Sequence, residues 1–125
     1  MVDFQAITSD ELKQKIDNGD DFVLIDTLGE QSYQRAHLPG AISIDAHSDD
    51  FVAHVEEHVP DKDKEIVVYC ASFSCQLSPQ AAQKLIEAGY TNVVDFEGGL
   101  KDWATSGYDF EGDGGEQMKE NLASA

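Results

Sequence analysis

Two thiols, Cys70 and Cys75, stand five residues apart in Ile66-Val-Val-Tyr-Cys70-Ala-Ser-Phe-Ser-Cys75-Gln-Leu-Ser78-Pro79. The β-branched and aromatic run Ile66 to Tyr69 reads as a strand buried on both faces, and Cys70 is the first residue beyond it. A helix should follow, with Ser78 as N-cap, Pro79 at its first position, Ala81, Ala82, Leu85 and Ile86 on one face, and Gly89 as the stop. A group between a parallel strand and the next helix faces the crevice beyond the carboxyl ends of the sheet. Loop N–H groups and the helix dipole favour a thiolate there. Such a thiolate is a nucleophile for an anionic sulfur, phosphorus or arsenic centre. An inert cysteine at the end of a buried strand would occupy the same position.

The elements that must hold this loop can be read on either side. Thr8-Ser9-Asp10-Glu11 starts a helix with Leu12 and Ile16 on one face and Gly19 as its stop. Phe22 to Asp26 is a second buried strand. Asp26, at its carboxyl end, is either a site residue or a cap for the next turn, and the cap is the expectation. Glu30 to Ala36 reads as a short helix, His37-Leu-Pro39-Gly40 as a turn, and Ala41 to Ile44 as a third strand. His37 is expected to hold the turn rather than act as a base. Phe51, Val52, Val55 and Val59 recur at helical spacing, Val93 to Phe96 forms another strand, and Gly98-Gly99 opens a helix carrying Leu100, Trp103 and Ala104. The alternation predicts a mainly parallel α/β sheet flanked by helices. Residues 4–111 form one domain in this reading, followed by an acidic tail at 112–125. Gln117 to Leu122 could form a short helix in the tail, but fraying is the expectation.

Composition limits the partners. The 125 residues carry 25 acidic and 8 basic side chains, a formal charge of −17, and Arg35 is the sole arginine. Such a surface repels nucleic acid, anionic membranes and free anionic substrates unless local donors overcome the field, and it also suits a high-salt cytoplasm. Hydrophobic residues make up 41% of the chain, enough for one core. Met1-Val-Asp-Phe-Gln offers neither a basic n-region nor an apolar h-region, so no signal peptide is expected, and no apolar run is long enough to span a bilayer. Two cysteines in such a chain read as reduced, chemically used thiols, and the cytoplasm is the expected location.

Three segments resemble the rhodanese domain family. Leu24-Ile25-Asp26 with Glu30 to Tyr33 and His37-Leu38-Pro39-Gly40-Ala41-Ile42 resembles its N-terminal signature. Val67-Val68-Tyr69-Cys70, the alanine-rich helix and Gly89-Tyr90 resemble its active-site strand, loop and helix, and Glu97-Gly98-Gly99-Leu100 with Trp103 and Gly107-Tyr108 resembles its C-terminal signature. The resemblance implies a rhodanese-like sheet of about five strands and a single-domain sulfurtransferase whose Cys70 carries a sulfane sulfur as a persulfide. It implies no cofactor and no metal, and it assigns Asp26, His37, Gly40 and Trp103 to the scaffold. The sulfur would come from a small-molecule donor such as thiosulfate, or from a protein persulfide, and pass to a thiol or cyanide acceptor.

The chain departs from this family at the loop. Ala71, Ser72, Phe73, Ser74, Cys75 and Gln76, the expected persulfide cradle, include no glycine, lysine or arginine, and the loop is about two residues longer than the common single-domain form. The longer loop is similar to those of phosphatases and arsenate reductases of this fold, which need an arginine six positions after the cysteine. That position is Gln76, so no guanidinium fork can clamp a phosphate. Ser72, Ser74 and loop amides could still hold a persulfide. Cys75 either attacks that persulfide, giving a disulfide and releasing sulfide, receives the sulfur itself, or merely fills an apolar gap beside Phe73 and Leu77. Bridging needs α-carbons within about 7 Å. His54-Val-Glu-Glu57-His58 matches the spacing of inverted zinc peptidases, but Val52, Val55 and Val59 turn the other side of that helix inward, so a solvated face is expected. A sulfurtransferase acting through Cys70 is the leading expectation. A non-enzymatic or weakly active sulfur-relay or regulatory module that binds a protein partner is the alternative.

Overall fold

The structure, a computed structural model, describes residues 4–123. Five strands, β1 (Gln5–Ala6), β2 (Val23–Asp26), β3 (Ile42–Ser43), β4 (Ile66–Tyr69) and β5 (Val93–Phe96), form one sheet in the order β1-β5-β4-β2-β3. Every pairing is parallel, with Ile25 opposite Val68, Asp26 opposite Tyr69, and Val68 opposite Asp95. β4, the central strand, is buried along its whole length. Its side chains alternate between two cores, as a strand covered on both faces requires. Ile66 and Val68 face a core with Phe51, Val55, Ala81, Ala82 and Leu85, while Val67 and Tyr69 face one with Leu12, Leu38, Phe96, Leu100 and Trp103.

The helices follow from local signals. α1 (Ser9–Asn18) starts on a capping box between Thr8 and Glu11 and ends at Gly19, whose φ of 69° places it in the left-handed region. α2 (Glu30–Arg35) and α3 (Phe51–His58) are short, and α3 buries Phe51 and Val55 while His54, Glu57 and His58 are exposed. The expected His-x-x-Glu-His face is thus solvated, with His58 Nδ1 2.9 Å from the His54 carbonyl of its own helix. α4 (Leu77–Glu87) covers one face of β4, and α5 (Gly99–Thr105) the other, burying Trp103.

Two expectations need correction. Ser78 is not the N-cap of α4 and Pro79 is not its first residue: the helix begins at Leu77, Gln76 precedes it without a side-chain cap, and Pro79 is third. Proline is tolerated there because first-turn N–H groups have no partner within the helix. The tail does not fray over the described residues. It forms α6 (Gly115–Ala123), packed beside α5, with Lys119 Nζ 2.7 Å from Asp109 and Leu122 against the Trp103 core. Among the described residues no helix is long and apolar enough to cross a membrane.

Candidate active site

Cys70 follows β4 at the point where three neighbours grip the backbone. Thr27 donates to the Tyr69 carbonyl from both its N–H (3.1 Å) and its hydroxyl (2.8 Å). The first amides of α5 take the next two carbonyls: Leu100 N–H donates to Cys70 O at 3.1 Å and Lys101 N–H to Ala71 O at 2.9 Å. The approach is close enough to require glycine. Gly99 has φ +60°, and a Cβ added to it would come within 2.8 Å of the Ala71 carbonyl carbon. Gly99 therefore lets α5 back onto the Cys70 loop.

Cys70 Sγ is buried and stands at the mouth of α4. The chain returns through a turn in which Cys75 N–H donates to Ser72 O at 3.0 Å, and Cys75 is joined to Cys70 in a disulfide with α-carbons 6.5 Å apart. The expectation of two reduced thiols is corrected to this extent: the loop brings both sulfurs into bonding contact. Phe73 is 71% exposed, so no apolar gap with Phe73 exists for Cys75 to fill. Ser72 and Ser74 hydroxyls lie 3.0 Å apart at the surface and bond to each other. Gln76 and Ala71 are exposed.

Behind the sulfur lies a pair of residues whose part in the site was not foreseen. Cys70 Sγ is 3.4 Å from Ser78 Oγ, and Ser78 Oγ donates to Asp95 Oδ1 at 2.6 Å. Strand parity explains the meeting, since Val93 and Asp95 turn toward α4 while Val94 and Phe96 turn away. Asp95 is fully buried, its Oδ2 has no hydrogen-bond partner among the described residues, and burial pushes its carboxyl up to about 6. The Ser78 bond opposes that rise, and the charge on Glu97 adds to it. The available signal in the sequence was one carboxylate within the apolar run Val93 to Phe96.

The residues expected to be scaffold have scaffold contacts. Asp26 Oδ1 accepts from Leu28 N–H at 2.9 Å, which is the turn cap, and its Oδ2 accepts from the Tyr69 hydroxyl at 2.9 Å. Burial raises the Asp26 carboxyl above its ordinary range, against the pull of these two bonds. His37 pins its turn through Nδ1, 2.7 Å from Tyr33 O, and through paired backbone bonds with Glu111. Gly40 turns with φ 81°, and Trp103 Nε1 donates to Asp109 O at 2.9 Å.

Cations lie elsewhere. Lys62 bonds Glu56 and the Ala88 carbonyl, Lys64 pairs with Asp21, and Lys101 Nζ reaches Leu122 O. None of these three ammonium groups is committed to the Cys70 loop.

The sequence and the fold have known counterparts. A family model described as the rhodanese-like domain matches residues 8–106. The thiosulfate sulfurtransferase GlpE of Pseudomonas savastanoi pv. phaseolicola is 31% identical over 104 residues, which cover 82% of this chain and 90% of that protein. The adenylyltransferase and sulfurtransferase UBA4 of Candida albicans is 38% identical over 93 residues, 71% of this chain, and the match spans only 21% of UBA4. Among solved structures, the Alr3790 protein from Anabaena sp. superposes with a TM-score of 0.77 at 26% identity, covering 92% of this chain and 99% of that one. The chain belongs to the rhodanese-like domain family.

Proposed function

We propose that the protein is a rhodanese-type sulfurtransferase in which Cys70 is the nucleophile and Cys75 resolves the persulfide. One observation carries the reading: Cys70 sits at the carboxyl end of the central strand, before α4, with a second thiol in bonding reach across its own loop. The Cys70 thiolate attacks the outer sulfur of a donor such as thiosulfate or a protein persulfide. The donor S–S bond breaks, sulfite or the donor thiolate leaves, and Cys70 holds one extra sulfur. An external thiol or cyanide can take that sulfur directly. Alternatively the Cys75 thiolate attacks Cys70 Sγ, the Cys70–Cys75 disulfide forms, and hydrosulfide departs with the electron pair of the broken bond. A dithiol reductant then restores both thiols by exchange. Cys75 is the more accessible sulfur of the pair and is the entry point for that reductant.

The uncharged loop and the committed lysines favour a second reading, a sulfur-relay or regulatory module that receives sulfur from a protein partner and uses free anions poorly. Thiosulfate-to-cyanide turnover and protein-persulfide loading, measured side by side, separate the two. For either, Cys70→Ser is expected to abolish sulfur loading with circular dichroism unchanged, because serine is not ionised at neutral pH. Full turnover in folded Cys70→Ser would remove Cys70 as the nucleophile.

A further inference from the structure

We propose that Ser78 and Asp95 form a buried proton relay for Cys70, in which the thiol passes its proton through the Ser78 hydroxyl to the Asp95 carboxylate and leaves a thiolate. This rests on the reading of Cys70 as the nucleophile. The relay deepens that reading by supplying a destination for the proton within the fold.

The geometry provides one continuous path. Cys70 Sγ and Ser78 Oγ are 3.4 Å apart, Ser78 Oγ and Asp95 Oδ1 are 2.6 Å apart, and all three side chains are buried. Bulk water therefore does not offer the thiol a direct base on this side. A hydroxyl suits the middle place because it accepts and donates at once. In the reduced protein the Cys70 S–H donates to Ser78 Oγ, and Ser78 O–H donates to Asp95 Oδ1. After transfer, Asp95 Oδ1–H donates back to Ser78 Oγ, and Ser78 O–H donates to the Cys70 sulfur anion. One S–H bond and one carboxylate become one thiolate and one carboxylic acid, with no oxidant or reductant required.

Asp95 is suited to receiving that proton. Its Oδ2 is an unpartnered buried oxygen, so a full negative charge there lacks the donors that usually compensate burial. Protonation removes the charge, which is also why its acidity is weakened. The facing groups from α4 and β4 are Ser78 and Cys70, and Glu97 on the same chain segment is the neighbouring charge. These distances are those of the disulfide form, and contacts other than the disulfide hold the backbone on either side of the sulfur. Thr27, Leu100 and Lys101 hold the backbone at residues 69–71, and Ser78 is fixed in the first turn of α4. Ser78 touches the reacting sulfur, whereas Asp95 acts through it as a positioning residue.

The test is the pH dependence of Cys70 alkylation by iodoacetamide in reduced Cys75→Ser, followed by mass from about pH 4 to about pH 9. A coupled acid and thiol lose their protons in two steps that belong to the pair. The expected profile has a lower inflection near 6, where Asp95 titrates, and a second at higher pH. Asp95→Asn in the same background should leave a single inflection. Ser78→Ala, which breaks the path while keeping the carboxyl, should shrink the lower step and serves where Asp95→Asn does not fold. A single inflection in the Cys75→Ser parent, or a profile unchanged in both variants with only the melting temperature moved, overturns the relay. Thiosulfate loading of the same parent separates the two ideas. Sulfur loading with one inflection refutes the relay alone, while two inflections without loading refute the sulfurtransferase and leave the relay standing.

Discussion

Replacing Asp95 with asparagine gives a thermodynamic measure of the carboxyl behind Cys70. Folding moves this group from 3.8 to about 6, chiefly because burial disfavours the anion. A carboxyl raised on folding binds its proton more tightly in the folded chain than in the unfolded one. Its contribution to stability is therefore complete below 3.8 and is lost as pH climbs through 6. The shift of about 2 units, at about 1.4 kcal/mol each, amounts to about 3 kcal/mol at pH well above 6. Asparagine keeps the shape and cannot ionise. The stability of Asp95→Asn relative to wild type should therefore rise by about 2 to 3 kcal/mol between about pH 4 and about pH 8. The assay is denaturant unfolding of both proteins over that range with the disulfide intact. The other carboxylates are common to both chains and cancel in the difference. A stability difference that stays constant with pH would refute the reasoning, since it would mean that Asp95 titrates alike in the folded and unfolded chain.

Other perturbations address the loop and its approach. Gly99→Ala puts a Cβ against the Ala71 backbone at a left-handed φ, and should lower stability by about 2 to 4 kcal/mol, read from the denaturant midpoint. Cys75→Ser should lengthen the lifetime of a Cys70 persulfide and slow reductant-dependent sulfide release, while first-step loading persists; mass spectrometry against time reads both. Thiosulfate loading should be slow at low salt and faster as salt rises, because a dianion approaches a chain of charge −17 whose Lys62, Lys64 and Lys101 are engaged elsewhere. Screening shortens the Debye length from roughly 30 Å at 0.01 M to about 10 Å at 0.1 M. Circular dichroism alongside keeps a folding change from passing for a rate effect.

The legible parts of the fold were those written in local chemistry. Thr8 and Glu11 announce α1, the apolar runs announce β2, β4 and β5, and the Asp26 cap and His37 turn both keep the roles expected of them. β1 escaped because its two residues, Gln5 and Ala6, are exposed and become a strand only by pairing with β5. α6 was hidden because an acidic, glycine-containing tail gains its order from tertiary contacts, Lys119 to Asp109 and Leu122 to the core. Ser78 was misassigned for a related reason. A serine before proline reads locally as an N-cap, yet its hydroxyl turns across to Asp95. Sequence spacing placed Cys70 and Cys75 on one loop, whereas only the folded chain shows that their α-carbons lie 6.5 Å apart.

The central claim is that Cys70 takes up one sulfur atom and that Cys75 then displaces it. The most direct measurement is the intact mass of the reduced protein after thiosulfate, with the modified residue mapped by peptide mass. The expected result is an adduct of one sulfur atom on Cys70, stable in Cys75→Ser and replaced in wild type by the Cys70–Cys75 disulfide with release of sulfide. A folded, reduced protein that gains no sulfur from thiosulfate or from a protein persulfide, or gains it on Cys75 alone, would contradict the claim.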